Sequence, residues 1–164
     1  MDSDGQNNNT GTTAPKGGAA TGILPCQAIT ALCRDGEIAA DQPLLEGQIQ
    51  PSSLDLRLGE VAYRVRASFL PGPGNNMAQK IAQLTMHAVD LTQGAVLERG
   101  CVYIVPLLER LALSERLSAI ANPKSSTGRL DVFTRLITDG AGEFDRVEAG
   151  YHGPLYAEIA PRTF

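Results

Sequence analysis

A period-two alternation of apolar and polar residues constrains the fold of this chain more than any other feature. In the segment SLDLRLG, Leu54, Leu56 and Leu58 fall on one side of a predicted strand. Asp55 and Arg57 fall on the other side. The same alternation recurs in HAVDL, CVYIVPLLERLAL, RLSAIANP and GPLYAEIAP, with turns rich in Gly and Pro between them. Short strands at roughly ten-residue spacing predict a mainly β domain of the barrel or jelly-roll type.

Two segments show the helical period instead. In GILPCQAITALCRDG, apolar residues recur every four positions, Pro25 lies in the first turn and Gly36 is a stop signal. In NNMAQKIAQLTM, a capping asparagine (Asn75 or Asn76) precedes an apolar face. The sequence therefore predicts two short helices among the strands.

The composition of the chain indicates where the folded domain begins and which partners and compartment to expect. Residues 1–20 contain no periodic apolar pattern and are predicted to form a disordered tail before a domain over 21–164. The net charge of −4 argues against a nucleic acid polymer or an anionic membrane as partner. The three cysteines lack CxxC spacing and no signal peptide is visible, so we expect a cytoplasmic protein with reduced, buried, structural thiols.

The segment NPKSSTGRLDVF has the features of an anion-binding turn. Ser125 and Ser126 stand between the cations of Lys124 and Arg129, and apolar chain flanks the segment on both sides. The successive N–H groups of such a turn can hold a phosphate, as in a backbone nest. An ordinary polar hairpin turn explains the same pattern equally well.

Two carboxylates are candidates for chemistry. Glu158 lies inside the apolar strand LYAEIAP, where it either faces water or occupies a cavity as a general acid or base. Glu148 precedes a Gly-Tyr-His-Gly turn. The sequence lacks the HxE and PCxxC pattern of zinc deaminases, which argues against a catalytic metal.

Three segments together resemble one known family. IQPSSLDLRLG, NPKSSTGRLDVF and RVEAGYHGPLYAEI are similar, in order, to the motifs of the dCTP deaminases of the dUTPase-related superfamily. The resemblance is strongest to the long, two-part bacterial form and covers residues 22–164. It implies a dUTPase-like β-clip, a distorted β-barrel, and trimeric assembly with active sites between subunits. The implied reaction removes ammonia from C4 of dCTP without a catalytic metal, Mg²⁺ accompanying the triphosphate.

The resemblance also implies roles for individual residues. The catalytic positions of the family fall on Ser125, Arg129 and Glu158. Phosphate-binding and sugar-binding positions fall on four further residues, namely Lys124, Ser126, Glu148 and Tyr151. Asp55 and Arg57 are expected to be structural or to bridge subunits.

The chain departs from the short-form deaminases at three places. Lys124 replaces an arginine, Glu148 replaces an aspartate, and an extra loop is present near GAGEF at 140–144. The strand-like end at Phe164 suggests that the natural protein continues. We therefore hypothesise that residues 1–164 alone are inactive, because the family closes its site with a later segment.

Two other functions stay open at this stage. A water placed at the α-phosphate would give a bifunctional, dUTPase-like enzyme that releases dUMP and pyrophosphate. A non-catalytic half used for assembly or nucleotide binding is the other alternative. Glu158 favours a reaction that includes deamination, since release of pyrophosphate alone requires no base at the cytosine end. The set of Ser125, Arg129 and Glu158 argues against a non-catalytic half.

Overall fold

The computed structural model describes residues 22–163, so the predicted disordered tail of 1–20 lies outside the described residues. Three helices and eight strands are present within them. The helices are α1 (Cys26–Arg34), α2 (Met77–Leu84) and α3 (Ser125–Arg129). The strands are β1 (Ile38–Ala40), β2 (Val61–Val65), β3 (Thr85–Asp90), β4 (Val102–Ala112), β5 (Ala119–Ile120), β6 (Val132–Thr138), β7 (Arg146–Val147) and β8 (His152–Pro161).

Six strands form one antiparallel sheet in the order β3-β2-β4-β8-β6, and β1 pairs with the far end of β4. The remaining two strands, β5 and β7, pair with each other. The β4–β8 ladder changes register between Pro106 and Arg110, where a proline lacks the N–H that a regular ladder needs. The predicted mainly β, distorted architecture is therefore confirmed, and in the described part of the chain the sheet is open at β3 and β6.

Strand β8 separates two apolar layers because its side chains alternate between the two faces of the sheet. Helix α2 covers one face, and it packs there on Ile104, Ile137 and Tyr156. The opposite face buries Tyr103, Val105, Ala157 and Ile159, among others. Both layers lie against the central strands, so residues 155–161 of β8 are buried whichever way they point.

The two helices predicted from the sequence are confirmed. Pro25 precedes α1, and Asn76 caps α2 by accepting a 2.9 Å hydrogen bond from the backbone N–H of Gln79. The prediction of only two helices is wrong, because α3 occupies the segment predicted to be a turn. The low helix propensity of Ser, Thr and Gly concealed this single turn.

The strand predicted in the segment SLDLRLG, residues 53–59, is also wrong. Residues 53–58 form only isolated bridges, and the regular strand begins at Val61. The N–H of Asp55 donates to the carbonyl of Gln48, and the N–H of Arg57 donates to the Glu109 carboxylate. These N–H groups are therefore bonded outside a regular ladder, and Leu58 is exposed although the alternation predicts it to be buried with Leu54 and Leu56.

Candidate active site

Helix α3 displays the predicted anion-binding residues on the surface. Its one turn is closed by the N–H groups of Thr127 and Gly128, which both donate to the carbonyl of Lys124. Ser125, Ser126 and Arg129 are exposed. Among the ion pairs of residues 22–163, none includes Arg129. The serines and the arginine of this motif thus remain accessible to a ligand.

Lys124 connects this motif to the first one. Its ammonium lies 2.5 Å from a carboxylate oxygen of Asp55, across a sequence separation of 69 residues. The backbone of Asp55 is bonded on both sides by Gln48, through its carbonyl and through its side-chain amide. The ion pair therefore positions Lys124 against Asp55, whose own backbone is held by Gln48.

A buried ion pair anchors that segment to β4. The Glu109 carboxylate is 1% exposed and accepts hydrogen bonds from Arg57 Nε at 2.8 Å and Gln48 Nε2 at 2.7 Å. Arg57 also donates to the carbonyls of Gln42 and Pro43. Every oxygen of Glu109 has a partner, so this buried charge stabilises the loop in front of α3. All of these contacts of Arg57 lie within one chain, so its role in the fold is structural.

Glu158 lies in the middle of β8 and is 2% exposed. The register places it between Ile104 of β4 and Arg135 of β6. Its Oε2 atom is buried and has no hydrogen-bond partner within the described residues. Of the two alternatives left open by the sequence, the structure shows the buried one. An unpaired buried carboxylate is costly for stability, and such groups concentrate at functional sites.

Arg135 is a charged neighbour of this carboxylate that sequence reasoning missed. Its guanidinium carbon lies 4.3 Å from the ring centre of Phe133 and 4.5 Å from that of Phe144. The available signal was the period of two in β6, which puts Phe133, Arg135 and Ile137 on one face.

The turn before β8 holds the other two predicted residues. Glu148 is exposed and pairs with Arg146 Nε at 3.1 Å. The Tyr151 hydroxyl donates to the carbonyl of Pro154 at 2.6 Å and accepts from the N–H of Asp139 at 3.1 Å. Burial raises the pKa of Tyr151 to about 12, so the phenol stays protonated at neutral pH.

The structure brings these groups together only in part. Helix α3 leads directly into β6, which pairs along its length with the strand of Glu158. The hydrogen bonds and ion pairs within residues 22–163 nevertheless do not link Arg129 or Ser125 to Glu158. A cleft of about 530 Å³ lies between α2 and the sheet, lined in part by Tyr63, Pro106 and Tyr156. None of the seven predicted site residues lines that cleft.

Cysteine and metal chemistry contribute little to the described part of the chain. Cys26, Cys33 and Cys101 are free, and they are half-buried rather than buried as predicted. Burial raises the pKa of the Cys33 thiol, which disfavours its reactive thiolate. Among residues 22–163 no group of three His, Cys, Asp or Glu side chains is arranged to hold a metal ion. No helix among them is long and apolar enough to cross a membrane.

Comparison with known proteins adds three findings. Residues 20–164 match the family model described as 2'-deoxycytidine 5'-triphosphate deaminase (DCD) N-terminal domain. A curated relative from Coprothermobacter proteolyticus, named "dCTP deaminase, dUMP-forming", is 31% identical over 119 residues, which are 73% of this chain and 60% of the relative. The crystal structure of 2'-deoxycytidine 5'-triphosphate deaminase from Agrobacterium tumefaciens is similar with a TM-score of 0.85 and 62% identity. The match covers 87% of this chain and 43% of that one. The chain thus spans less than two thirds of the length of either protein.

Proposed function

This chain belongs to the family of dCTP deaminase N-terminal domains, and on that premise we propose that it contributes the catalytic residues for hydrolysis of dCTP to dUTP and ammonia. One observation of the structure carries the proposal. Glu158 is buried in the central sheet with an unpaired carboxylate oxygen, although nothing in the packing requires an acid at that position. A general base needs a free oxygen in a site from which bulk water is excluded.

Glu158 would act first as base and then as acid. Its carboxylate takes a proton from a water molecule, and the resulting hydroxide adds to C4 of the cytosine. The same group delivers this proton to N3 of the ring. It then carries the proton of the new C4 hydroxyl to the departing amine, which leaves a C4 carbonyl. One water is consumed, one C–O bond forms, one C–N bond breaks, and ammonia leaves. Side chains positioned in this way contribute about 10²–10⁴-fold to a rate.

We place the active site between subunits of an oligomer, for which a trimer is the expected form. In the single chain Glu158 is buried, whereas Arg129 and Ser125 are exposed on α3. An exposed motif that lies outside the cleft between α2 and the sheet is suited to complete the site of a neighbouring copy. In that site Arg129 would orient Glu158 and the water, and Ser125 would hydrogen-bond the water or a phosphate.

The remaining residues would hold the nucleotide. Lys124 and Ser126 lie beside each other at the start of α3 and would contact the triphosphate, which arrives with Mg²⁺ as part of the substrate. Glu148 is exposed at the turn before β8 and would accept a hydrogen bond from the deoxyribose. Tyr151, neutral and half-buried, would pack against the sugar.

A bifunctional reaction is the second candidate. The relative from Coprothermobacter proteolyticus is named as dUMP-forming, so this family includes enzymes that also cleave the triphosphate. In that case the same bound nucleotide would lose pyrophosphate after, or together with, its amine. The assignment of Glu158 is common to both reactions, and only the final product differs.

Product analysis decides between these candidates. The full-length protein is incubated with dCTP and Mg²⁺, and the nucleotides are separated by anion exchange. We expect a dUTP peak together with ammonia. A dUMP peak with pyrophosphate would establish the bifunctional reaction instead, and unchanged dCTP would overturn both proposals. The 164-residue chain, assayed in parallel, tests the hypothesis that it is inactive by itself.

A further inference from the structure

A row of side chains crosses the sheet beside the buried carboxylate. The register pairs Tyr63 with Ile104, Ile104 with Glu158, and Glu158 with Arg135. Directly opposite residues of antiparallel strands project from the same face, with Cβ atoms about 4.5–5.5 Å apart. Arg135 therefore stands on the same face as Glu158, one strand away and at the edge of the sheet.

The guanidinium of Arg135 is held by two aromatic rings. Its carbon lies 4.3 and 4.5 Å from the ring centres of Phe133 and Phe144, well within the range of cation–π attraction. No ion pair joins Arg135 to Glu158 in the described chain, and Oε2 of Glu158 remains without a partner. Oε2 of Glu158 thus remains available for a water molecule, while the cation stands opposite on the neighbouring strand.

Phe144 reaches this position because of the loop at 140–144, the segment that is extra relative to the short-form deaminases. The loop is anchored at both ends. The N–H of Gly140 donates to the carbonyl of Asn75 at 2.9 Å, and Asp145 Oδ1 accepts from the N–H of Leu136 at 2.7 Å. The extra residues therefore have a defined position, with an aromatic ring over the arginine.

Few other charges can take the place of Arg135. Other titratable groups on this face, or on the elements packed against it, include Tyr63, Tyr156, Asp139, Lys80, Asp90 of β3 and Glu143 of the 140–144 loop. Burial raises the pKa of Tyr156 to about 12, so this phenol is neutral at physiological pH. Lys80 belongs to α2 and lies outside β6 and β8. Among these groups Arg135 is the cation that the strand register places opposite Glu158.

We propose that Arg135, held by Phe133 and Phe144, is a positioning residue whose charge orients the Glu158 carboxylate. The inference rests on the proposed role of Glu158 as general base. It assigns to the extra loop a function in the active site, which is to fix the cation through Phe144. It also predicts that the charge of Arg135 matters more than its shape, so that lysine can partly replace it.

Unfolding experiments on the chain test the coupling without requiring turnover. Arg135→Gln, Glu158→Gln and the double variant form a cycle in urea unfolding at pH 7. We expect Arg135→Gln to be destabilising in the wild-type background and much less so beside Glu158→Gln. Arg64→Gln is the matched control, because Arg64 lies on the opposite face and pairs with Glu98. Strictly additive effects of Arg135→Gln and Glu158→Gln would overturn the inference.

The kinetics of deamination test the functional part in the full-length protein. Arg135→Gln should lower kcat about tenfold with KM nearly unchanged, because the general base is no longer oriented. Arg135→Lys should restore most of the loss, and Phe144→Ala should lower kcat to an intermediate value. A kcat that Arg135→Lys does not restore would indicate a structural role and overturn the inference. If the wild-type protein does not deaminate dCTP, the proposed function fails, and the unfolding cycle still decides the coupling.

Discussion

Two buried glutamates of the sheet are expected to respond in opposite ways to the same substitution by glutamine. Glu109 and Glu158 are 1% and 2% exposed. The Glu109 carboxylate accepts hydrogen bonds from Arg57 and Gln48. The Glu158 carboxylate has an oxygen without any partner in the described chain. Glu109 therefore stabilises the fold through its hydrogen bonds, whereas the unpaired oxygen of Glu158 destabilises it.

The magnitudes follow from these contacts. Glu109→Gln leaves the guanidinium of Arg57, whose side chain is 15% exposed, without its counter-charge. Removal of one partner from a buried pair costs about 3–5 kcal/mol. Glu158→Gln replaces a carboxyl group whose buried Oε2 atom lacks a hydrogen bond, and an unsatisfied buried group costs about 1–3 kcal/mol. Since an amide in the same place is still polar, we expect a gain near the lower end, about 1 kcal/mol.

Equilibrium unfolding of the chain in urea, followed by far-UV circular dichroism at pH 7, measures both effects. Glu46→Gln serves as the control because Glu46 is exposed. The predicted order of stability is Glu158→Gln, then the wild type together with Glu46→Gln, then Glu109→Gln. If Glu158→Gln unfolded as easily as Glu109→Gln, Glu158 would be a structural residue and the reasoning would be refuted.

Three further predictions concern packing, pH and phosphate binding. Gly59→Ala should cost about 1–3 kcal/mol in urea unfolding, since its Cβ would lie 2.7 Å from the carbonyl oxygen of Pro106. Gly47→Ala is the control, because a Cβ there meets open space at a positive φ and therefore reports backbone strain without crowding. Burial raises the pKa of Tyr156 from 10.0 to about 12, so the free energy of unfolding should fall as pH rises through this window. Tyr156→Phe should flatten that decline, and an unchanged slope would contradict it. Lys124→Gln should raise KM for dCTP about tenfold through loss of a charge-assisted contact, whereas Lys124→Arg should retain binding; equal KM values would remove Lys124 from the phosphate site.

Much of the fold could be predicted from the sequence because local signals and tertiary packing agree. The apolar period and the capping asparagine of α2 both point to the observed helix. The alternating pattern likewise predicts β4 and β8, the two longest strands. Residues 53–58 were misassigned because alternation reports the two faces of an extended segment, but not which partner its N–H groups find.

The sequence indicates which residues are candidates for the site, but not how they are arranged. Glu158 was singled out as an acid in an apolar strand, but its burial depends on the flanking strands β4 and β6, which no local pattern specifies. The contact between Lys124 and Asp55 spans 69 residues and is invisible to periodicity. The sequence does not distinguish Arg135 from the other arginines, because only the strand register shows that it lies opposite Glu158.

The most direct test of the central claim is the turnover of dCTP by Glu158→Gln in the full-length protein, with binding of dCTP measured on the same sample by calorimetry. The account predicts that the variant binds dCTP like the wild type and that its kcat falls by about 10²–10⁴-fold or more, while Glu46→Gln behaves like the wild type. Wild-type turnover by Glu158→Gln would contradict the assignment of Glu158 as the general base.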